Sequence, residues 1–285
     1  MNLLRWIKRN PLAAAGFICV LALLAVAFLG PIIAPYPDDA AGAIHLARRL
    51  SPPSARFRLG TDEAGRDILS RLILGTRLSA LTGFVVVAVA AGIGTVIGLV
   101  SGFAGRWVDE ILMRITDAFL AIPSLVLALA VAATLGPSLR NALLAIAIVW
   151  WPWYARLVRA QVLTIRRREF VEAARAVGAS TGRILIHHIL PNTSGPVLVQ
   201  ASLDLGYVIL TAASLGFLGI GAQPPAAEWG LMVSQGREYF PRWWWLATFP
   251  GLAIFSAVLG FNLVGDGLRD LFDPRTRRGG RGSLL

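Results

Sequence analysis

The chain has 285 residues, of which 56% are hydrophobic and 15% charged, and its mean hydropathy is +0.65. An ordinary soluble domain carries about 25% charged residues, and disordered chains are poor in apolar ones. Both classes are excluded, and the composition is that of a multi-spanning membrane protein with the lipid bilayer as its main partner. The net charge of +11 belongs, in such a chain, to cytoplasmic loops, so nucleic acid is not expected as a partner.

In chain order, the uncharged or nearly uncharged stretches are residues 12–34, 78–104, 118–139, 141–155, part of 189–227, and 243–265. A helix needs about 20 apolar residues to cross the hydrocarbon core. The fourth stretch is short and borrows a turn by snorkelling of Arg140 and Arg156. The fifth, interrupted by Asp204, is long enough for a helix and a loop containing Pro224 and Pro225. Six transmembrane helices are therefore expected. The period-2 alternation of a membrane barrel does not occur, so the fold class is all-α.

The first stretch follows Arg5, Lys8 and Arg9. It exceeds a signal-peptide core, and Pro35 follows without a small-x-small site, which predicts a retained anchor. Basic residues concentrate in 1–9, 106–114, 156–183 and 269–281. That bias places both termini in the cytoplasm and residues 35–77 outside. The single cysteine, Cys19, permits no disulfide within the chain and reads as packing filler. Gly94, Gly98 and Gly102 share one helix face and predict close approach of another backbone. Pro123 and Pro152 predict kinks, and Trp243, Trp244 and Trp245 an aromatic belt at the outer interface.

The longest cytoplasmic connection is 156–191. Within it, Phe170, Ala173, Ala174 and Val177 fall at i, i+3, i+4, i+7, one apolar face of a short helix. Gly178 suits a left-handed stop. Ser180 caps a second helix that Pro191 limits. A helix pair of this kind is either gripped by a partner or lies on lipid. In the fifth span, Gln200, Asp204, Tyr207, Thr211 and Ser214 line one face. Counted from Asn192, Asp204 lies about 18 Å along the helix, near the middle of the bilayer. An acid there costs roughly 2.5–3.5 kcal/mol on insertion scales. The stripe is either a wall of a translocation pathway or a buried polar contact with another helix or subunit.

The Walker A and metalloprotease patterns are absent from the sequence. The single lysine, Lys8, has no glycine before it and cannot complete GxxxxGK[ST], so any ATP used is hydrolysed by another polypeptide. There is no HExxH. His187 and His188 adjoin without ligand partners at suitable spacing, and Asp204 has no second acid in mid-span for an aspartyl dyad. The chain is not expected to be an enzyme or to hold a metal.

Glu172-Ala173-Ala174, then Gly178 and Leu190-Pro191, resembles the EAA loop of bacterial ABC-transporter permeases. Leu59-Gly60-Thr61-Asp62, with Gly65-Arg66-Asp67 and Ser70-Arg71, resembles the LGTD-x-x-GRD-x-x-SR segment of the dipeptide/oligopeptide/nickel permeases, in their C-type subunit. Ala213 to Gly221, Pro224-Pro225, Glu228-Trp229-Gly230, Gly265-Asp266-Gly267 and Asp273-Pro274-Arg275 are also similar. The resemblance covers nearly the whole chain. It implies a type I ABC importer permease fold, with an N-terminal helix and outer segment over 1–77, a five-helix core over 78–275 and a basic tail over 276–285. It also implies that Glu172, Ala173, Ala174 and Gly178 couple to an ATPase. The implied partners are a B-type permease, two ATP-binding subunits that hold ATP and magnesium, and an extracytoplasmic solute-binding protein. The site is the bacterial inner membrane and the cargo di- or oligopeptides. Nickel, glutathione and opine-like solutes share this subunit type. A secondary transporter driven by ion gradients is the rival of a different class, and it needs no ATPase.

Overall fold

The computed structural model describes residues 10–272. Arg5, Lys8, Arg9 and the expected tail 276–285 lie outside them. Helix α1 (Pro11–Ile33) begins with proline at its first turn, where the missing N–H costs nothing. Short 3-10 turns at Pro37–Ala40 and Leu46–Arg48 follow. Then come α2 (Ile68–Ala104), α3 (Arg106–Leu120), α4 (Ser124–Leu135), α5 (Leu139–Ile165) and α6 (Glu169–Ala176). The chain ends with α7 (Thr181–Phe217), α8 (Trp229–Arg237) and α9 (Trp245–Phe272). Among the described residues the only strand-like pairing is one antiparallel bridge, Thr61 to Asp67.

Five helices (α1, α2, α5, α7 and α9) are long and apolar enough to cross a membrane. The sixth crossing is not the single span expected over 118–139. That stretch is divided between α3 and α4, which meet at a bend of 87° and make a sixth crossing when the pair is counted as one broken span. The break has a local cause: Pro123 supplies no N–H and adopts an extended ψ of 125°, and the residue before a proline avoids the helical region. With 12 residues, α4 is about 18 Å long.

Two further expectations are corrected. Helix α2 begins at Ile68 rather than 78, so Ser70 and Arg71 belong to its first turn. Its 37 residues exceed what a hydrocarbon core of about 30 Å requires. Pro191 does not limit the second helix of the 156–191 connection. The chain passes through a π-helical stretch at Leu185–Ile189 and continues to Phe217. A π turn shifts the hydrogen-bond partners by one residue, which accommodates a proline at the restart of the α-helix. Pro152 also sits inside an unbroken helix.

Small residues set the packing. A Cβ on Gly94 would lie 2.4 Å from the Trp151 carbonyl oxygen, and one on Gly98 2.6 Å from that of Ala155. The α2–α5 contact is therefore backbone against backbone, as the glycine strip predicted. Helix α1 leans on α9, where Cys19 Sγ meets the Ser256 carbonyl oxygen at 3.3 Å. The Trp run does not act as one belt. Trp244 is exposed, whereas Trp245 is buried and its Nε1 faces the Thr61 carbonyl oxygen at 3.4 Å.

Candidate functional site

At the end of the bundle where α2 begins, the motif residues gather into one knot. Asp67 caps α2: its Oδ2 accepts from the Ser70 amide at 2.8 Å and the Ser70 hydroxyl at 2.7 Å. The Asp67 amide donates to Asp39 Oδ2 at 2.7 Å, and Ser70 Oγ accepts from the Tyr36 amide. Asp62 closes its own turn by accepting from the Ala64 and Arg66 amides at 2.9 Å. Its other oxygen takes Arg66 Nε at 2.7 Å and lies 3.5 Å from Arg71 Nε.

Arg71 is 1% exposed and ties three segments together. It donates to the carbonyl oxygens of Asp39 and Ala226 at 3.2 Å and of Pro225 at 3.4 Å. Thr61 donates to the Arg48 carbonyl and accepts from the Ser51 amide. Gly60 stands so close to Trp245 that a Cβ would meet its Nε1 at 2.7 Å, and the same addition at Gly65 would strike the His45 carbonyl. His45 pairs with Asp39 at 2.9 Å. Thus Gly60, Thr61, Asp62, Gly65, Arg66, Asp67, Ser70 and Arg71 all converge, and the arrangement is a joint.

The electrostatics of the knot follow from burial. Burial pushes the Glu63 carboxyl above its ordinary range, with nearby Asp62 adding to the rise. Burial likewise raises Asp67, against the pull of the Ser70 hydrogen bonds. Glu228 lies nearby as the cap of α8, accepting from the Gly230 and Leu231 amides at 2.9 and 2.8 Å. Burial raises it too, with those amides opposing.

At the opposite end of the bundle, α6 joins α5 to α7. Glu169 and Glu172 occupy its first turn and Arg175 its last, each sign matching the helix dipole. Val171 and Ala174 are buried and anchor it on Val158, Val162, Ile165, Ile184 and Ile189. The apolar face expected from Phe170, Ala173, Ala174 and Val177 is divided: only Ala174 points inward. Phe170, Ala173 and Val177 stand outward with Glu172, Val177 being 85% exposed. Gly178 has φ +82°, and the Gly178 and Ala179 amides close the helix on the Arg175 and Ala174 carbonyls. Ser180 caps the start of α7 by accepting from the Arg183 amide.

The α7 stripe is also divided. Asp204 is 4% exposed and accepts from Gln200 Nε2 at 3.0 Å. Tyr207, one turn on, is 54% exposed. Thr211 and Ser214 are half-buried and return their hydroxyl protons to carbonyls of their own helix.

Sequence reasoning missed the ties that hold α3 to its neighbours. Arg159 grips Asp109 through two bonds of 2.6 and 2.7 Å, Ser101 donates to the same carboxylate, and Arg156 meets Asp117 at 2.5 Å. Nothing in the sequence around Asp109 and Asp117 signals partners on α5. The cap at Glu228 had a local signal, since an acid immediately before a helix favours capping, and its side chain accepts from the Gly230 and Leu231 amides.

The family model described as binding-protein-dependent transport system inner membrane component matches residues 94–278. The one described as N-terminal TM domain of oligopeptide transport permease C matches residues 3–53. The chain is 50% identical over 269 residues to the probable D,D-dipeptide transport system permease protein DdpC of Escherichia coli, covering 94% of this chain and 89% of that one. It is 47% identical over 271 residues to the dipeptide transport system permease protein DppC of Alkalihalophilus pseudofirmus, covering 95% and 88%. Among solved structures it resembles the inward-facing MetNI methionine ABC transporter, with a TM-score of 0.56 at 20% identity over 71% of this chain and 96% of that one; this likeness concerns the fold. The chain belongs to the binding-protein-dependent transport system inner membrane components, the membrane-spanning permease subunits of ABC importers.

Proposed function

We propose that this permease carries short peptides inward as one half of a translocation pathway, with α6 docking on an ATP-hydrolysing subunit. The observation that carries the docking is the orientation of α6. It is anchored by the buried Val171 and Ala174 and by Arg175 over Phe103, and it offers Glu172, Ala173 and Val177 outward at the end of the bundle. The outward alanine keeps the surface low enough for close approach, and Glu172 supplies a charge for a basic partner group. The names of the dipeptide relatives support the choice of peptides as cargo. The remaining assembly is a B-type permease, two ATPases holding ATP and magnesium, and an extracytoplasmic solute-binding protein. The motif knot faces outside and α6 the cytoplasm. Tyr207, Thr211 and Ser214 face the pathway.

The test uses the complete complex reconstituted in liposomes with its solute-binding protein. Glu172→Arg and Ala173→Trp are expected to lower ATPase association and peptide uptake at least tenfold, since charge-assisted contacts are worth about 1.5–3 kcal/mol. Insertion and permease pairing should be retained. Uptake at the wild-type rate in both variants would make 156–191 a plain connector. A cysteine at 177, in a Cys19-free background, should react with impermeant reagents only after the cytoplasmic side is opened, and labelling of intact cells would reverse the orientation.

A further inference from the structure

A push delivered at α6 reaches the membrane through α5 and α7, which leave it by connections of three or four residues. At the α6 end the two helices share an apolar cluster with Val171 and Ala174. Further into the bilayer, apolar packing alone binds helices weakly, because lipid tails are as apolar as the side chains. Something must keep the upper parts of α5 and α7 from separating when their lower ends move.

Asp204 occupies that place. It lies about 21 Å beyond Leu190 along α7, and Tyr154 and Trp150 lie about 16 and 22 Å from Ile165 along α5, so the three side chains share one level. The Tyr154 hydroxyl and the Trp150 indole N–H are one turn apart on the same face of α5, and both lie against the Asp204 carboxyl group. Asp204 Oδ1 is taken by Gln200. Asp204 Oδ2, Tyr154 Oη and Trp150 Nε1 are buried, and none of the three makes a hydrogen bond within the chain in this conformation. Two donors on one helix and one acceptor on the other are thus each other's complement. An unmet polar group in this setting is costly. Tyr154 is fully buried where α5 packs tightly on α2, since a Cβ on Gly94 would lie 2.5 Å from the Tyr154 Cβ. Asp204 is covered by its own chain, unlike Tyr207 beside it.

We propose that Asp204, Gln200, Tyr154 and Trp150 form a polar clasp that joins α5 to α7 midway through the membrane, so that α5, α6 and α7 move as one lever. These are positioning residues, and the proposal rests on the reading of α6 as the docking helix.

The experiment uses the reconstituted importer. Spin labels replace Trp153 on α5 and Leu210 on α7, both exposed, and a photo-crosslinker replaces Val177 on α6. With the native clasp, the α5–α7 distance should be narrow and equal in nucleotide-free and ATP-analogue-trapped complexes. Asp204→Leu should broaden it and lower peptides carried per ATP about tenfold, the scale of one charge-assisted hydrogen bond. The crosslink from position 177 to the ATPase should persist. Tyr154→Phe, which removes one hydroxyl, should do the same to a smaller degree and covers the case in which Asp204→Leu fails to assemble. Asp204→Asn, which keeps an acceptor for α5, should recover most of the coupling. An α5–α7 distance that changes with nucleotide while the clasp is intact overturns the lever. So does a wild-type transport ratio in both Asp204→Leu and Tyr154→Phe. Loss of the position-177 crosslink with the clasp intact identifies the docking reading as the one that failed.

Discussion

At the α2 end of the bundle, the motif turns its charges inward: Asp62, Arg66, Asp67 and Arg71 are buried and paired with one another or with backbone. At the other end, α6 turns its motif outward; Val171 and Ala174 are its buried residues, and the Arg175 guanidinium over the Phe103 ring and the Phe170–His188 ring contact complete its hold on the body. Both segments are family signatures, but they use different physics. Buried, fully partnered charge makes a joint, because each group is expensive to leave unpaired. Small exposed residues on a thinly anchored helix make a face, because nothing within the chain requires them. Substitution in the first should cost stability, and substitution in the second should cost coupling.

The sharpest way to break this contrast is Arg71→Ala. The change strands the Asp39, Pro225 and Ala226 carbonyls and removes one of the two guanidinium groups beside Asp62. Breaking a buried charged pair costs about 3–5 kcal/mol, so little folded permease should be recovered in detergent, and what is recovered should unfold at a markedly lower temperature. A variant of wild-type thermal stability would mean that the knot is not a joint.

Next in size is Gly94→Leu. The nearest atoms are the Trp151 carbonyl oxygen, the Tyr154 Cβ and the Ala155 amide, two of them backbone atoms that cannot turn aside. Overpacking of this kind costs about 1–3 kcal/mol. Gly92→Ala, two residues away with nothing within 4 Å of its added Cβ, should be neutral or slightly stabilising, since alanine favours a helix by about 1 kcal/mol over glycine. Equal losses of thermal stability in the two would show that the tight α2–α5 contact is not the cause.

The helix content, the number of crossings and the strip at Gly94, Gly98 and Gly102 were legible because they are periodic and local. The left-handed stop at Gly178 and the cap at Ser180 were legible for the same reason. The division of the apolar residues on α6 was not, because 3.6-residue periodicity says which residues share a face and not whether that face is the anchored one. The long-range partners were hidden as well. Nothing local to Asp39 or His45 announces Asp67, and nothing local to Asp204 announces Tyr154. The bend at Pro123 was expected as a kink, but nothing local to it announces its size of 87° or the Asp109–Arg159 and Asp117–Arg156 pairs that join α3 to α5.

Acidity sharpens the contrast from another side. Glu63, Asp67 and Glu228 have folded-state values raised above their ordinary 4.5, 3.8 and 4.5. A raised acid contributes stability that is fully present below its ordinary value and is lost as pH rises through its folded value. Lowering the pH from neutral towards 4.5 should therefore raise the unfolding temperature of the knot. Glu228→Gln, which keeps an acceptor at the α8 cap, should flatten its share of that rise. A profile falling steadily with acid over this window, unaltered by Glu228→Gln, would contradict the assignment of burial as the dominant cause.

The smallest effect belongs to the α6 end. At Gly178, φ is +82° and a Cβ would meet nothing within 4 Å, so Gly178→Ala adds backbone strain without a clash. A left-handed non-glycine residue costs about 1–2 kcal/mol, and asparagine bears that conformation better than alanine. The strain falls on a turn whose unfolding need not unfold the bundle, since Val171 and Ala174 still hold α6 to the cluster formed by α5 and α7. Amide exchange around residues 177–180 should quicken several-fold and peptides carried per ATP should fall modestly. Global thermal stability should stay within about 0.5 kcal/mol, as for other surface changes, and Gly178→Asn should recover much of the coupling. If Gly178→Ala instead lowered global stability as far as Arg71→Ala does, α6 would be a joint of the same kind as the knot, and the outward orientation of Glu172, Ala173 and Val177 would lose its meaning as a docking face.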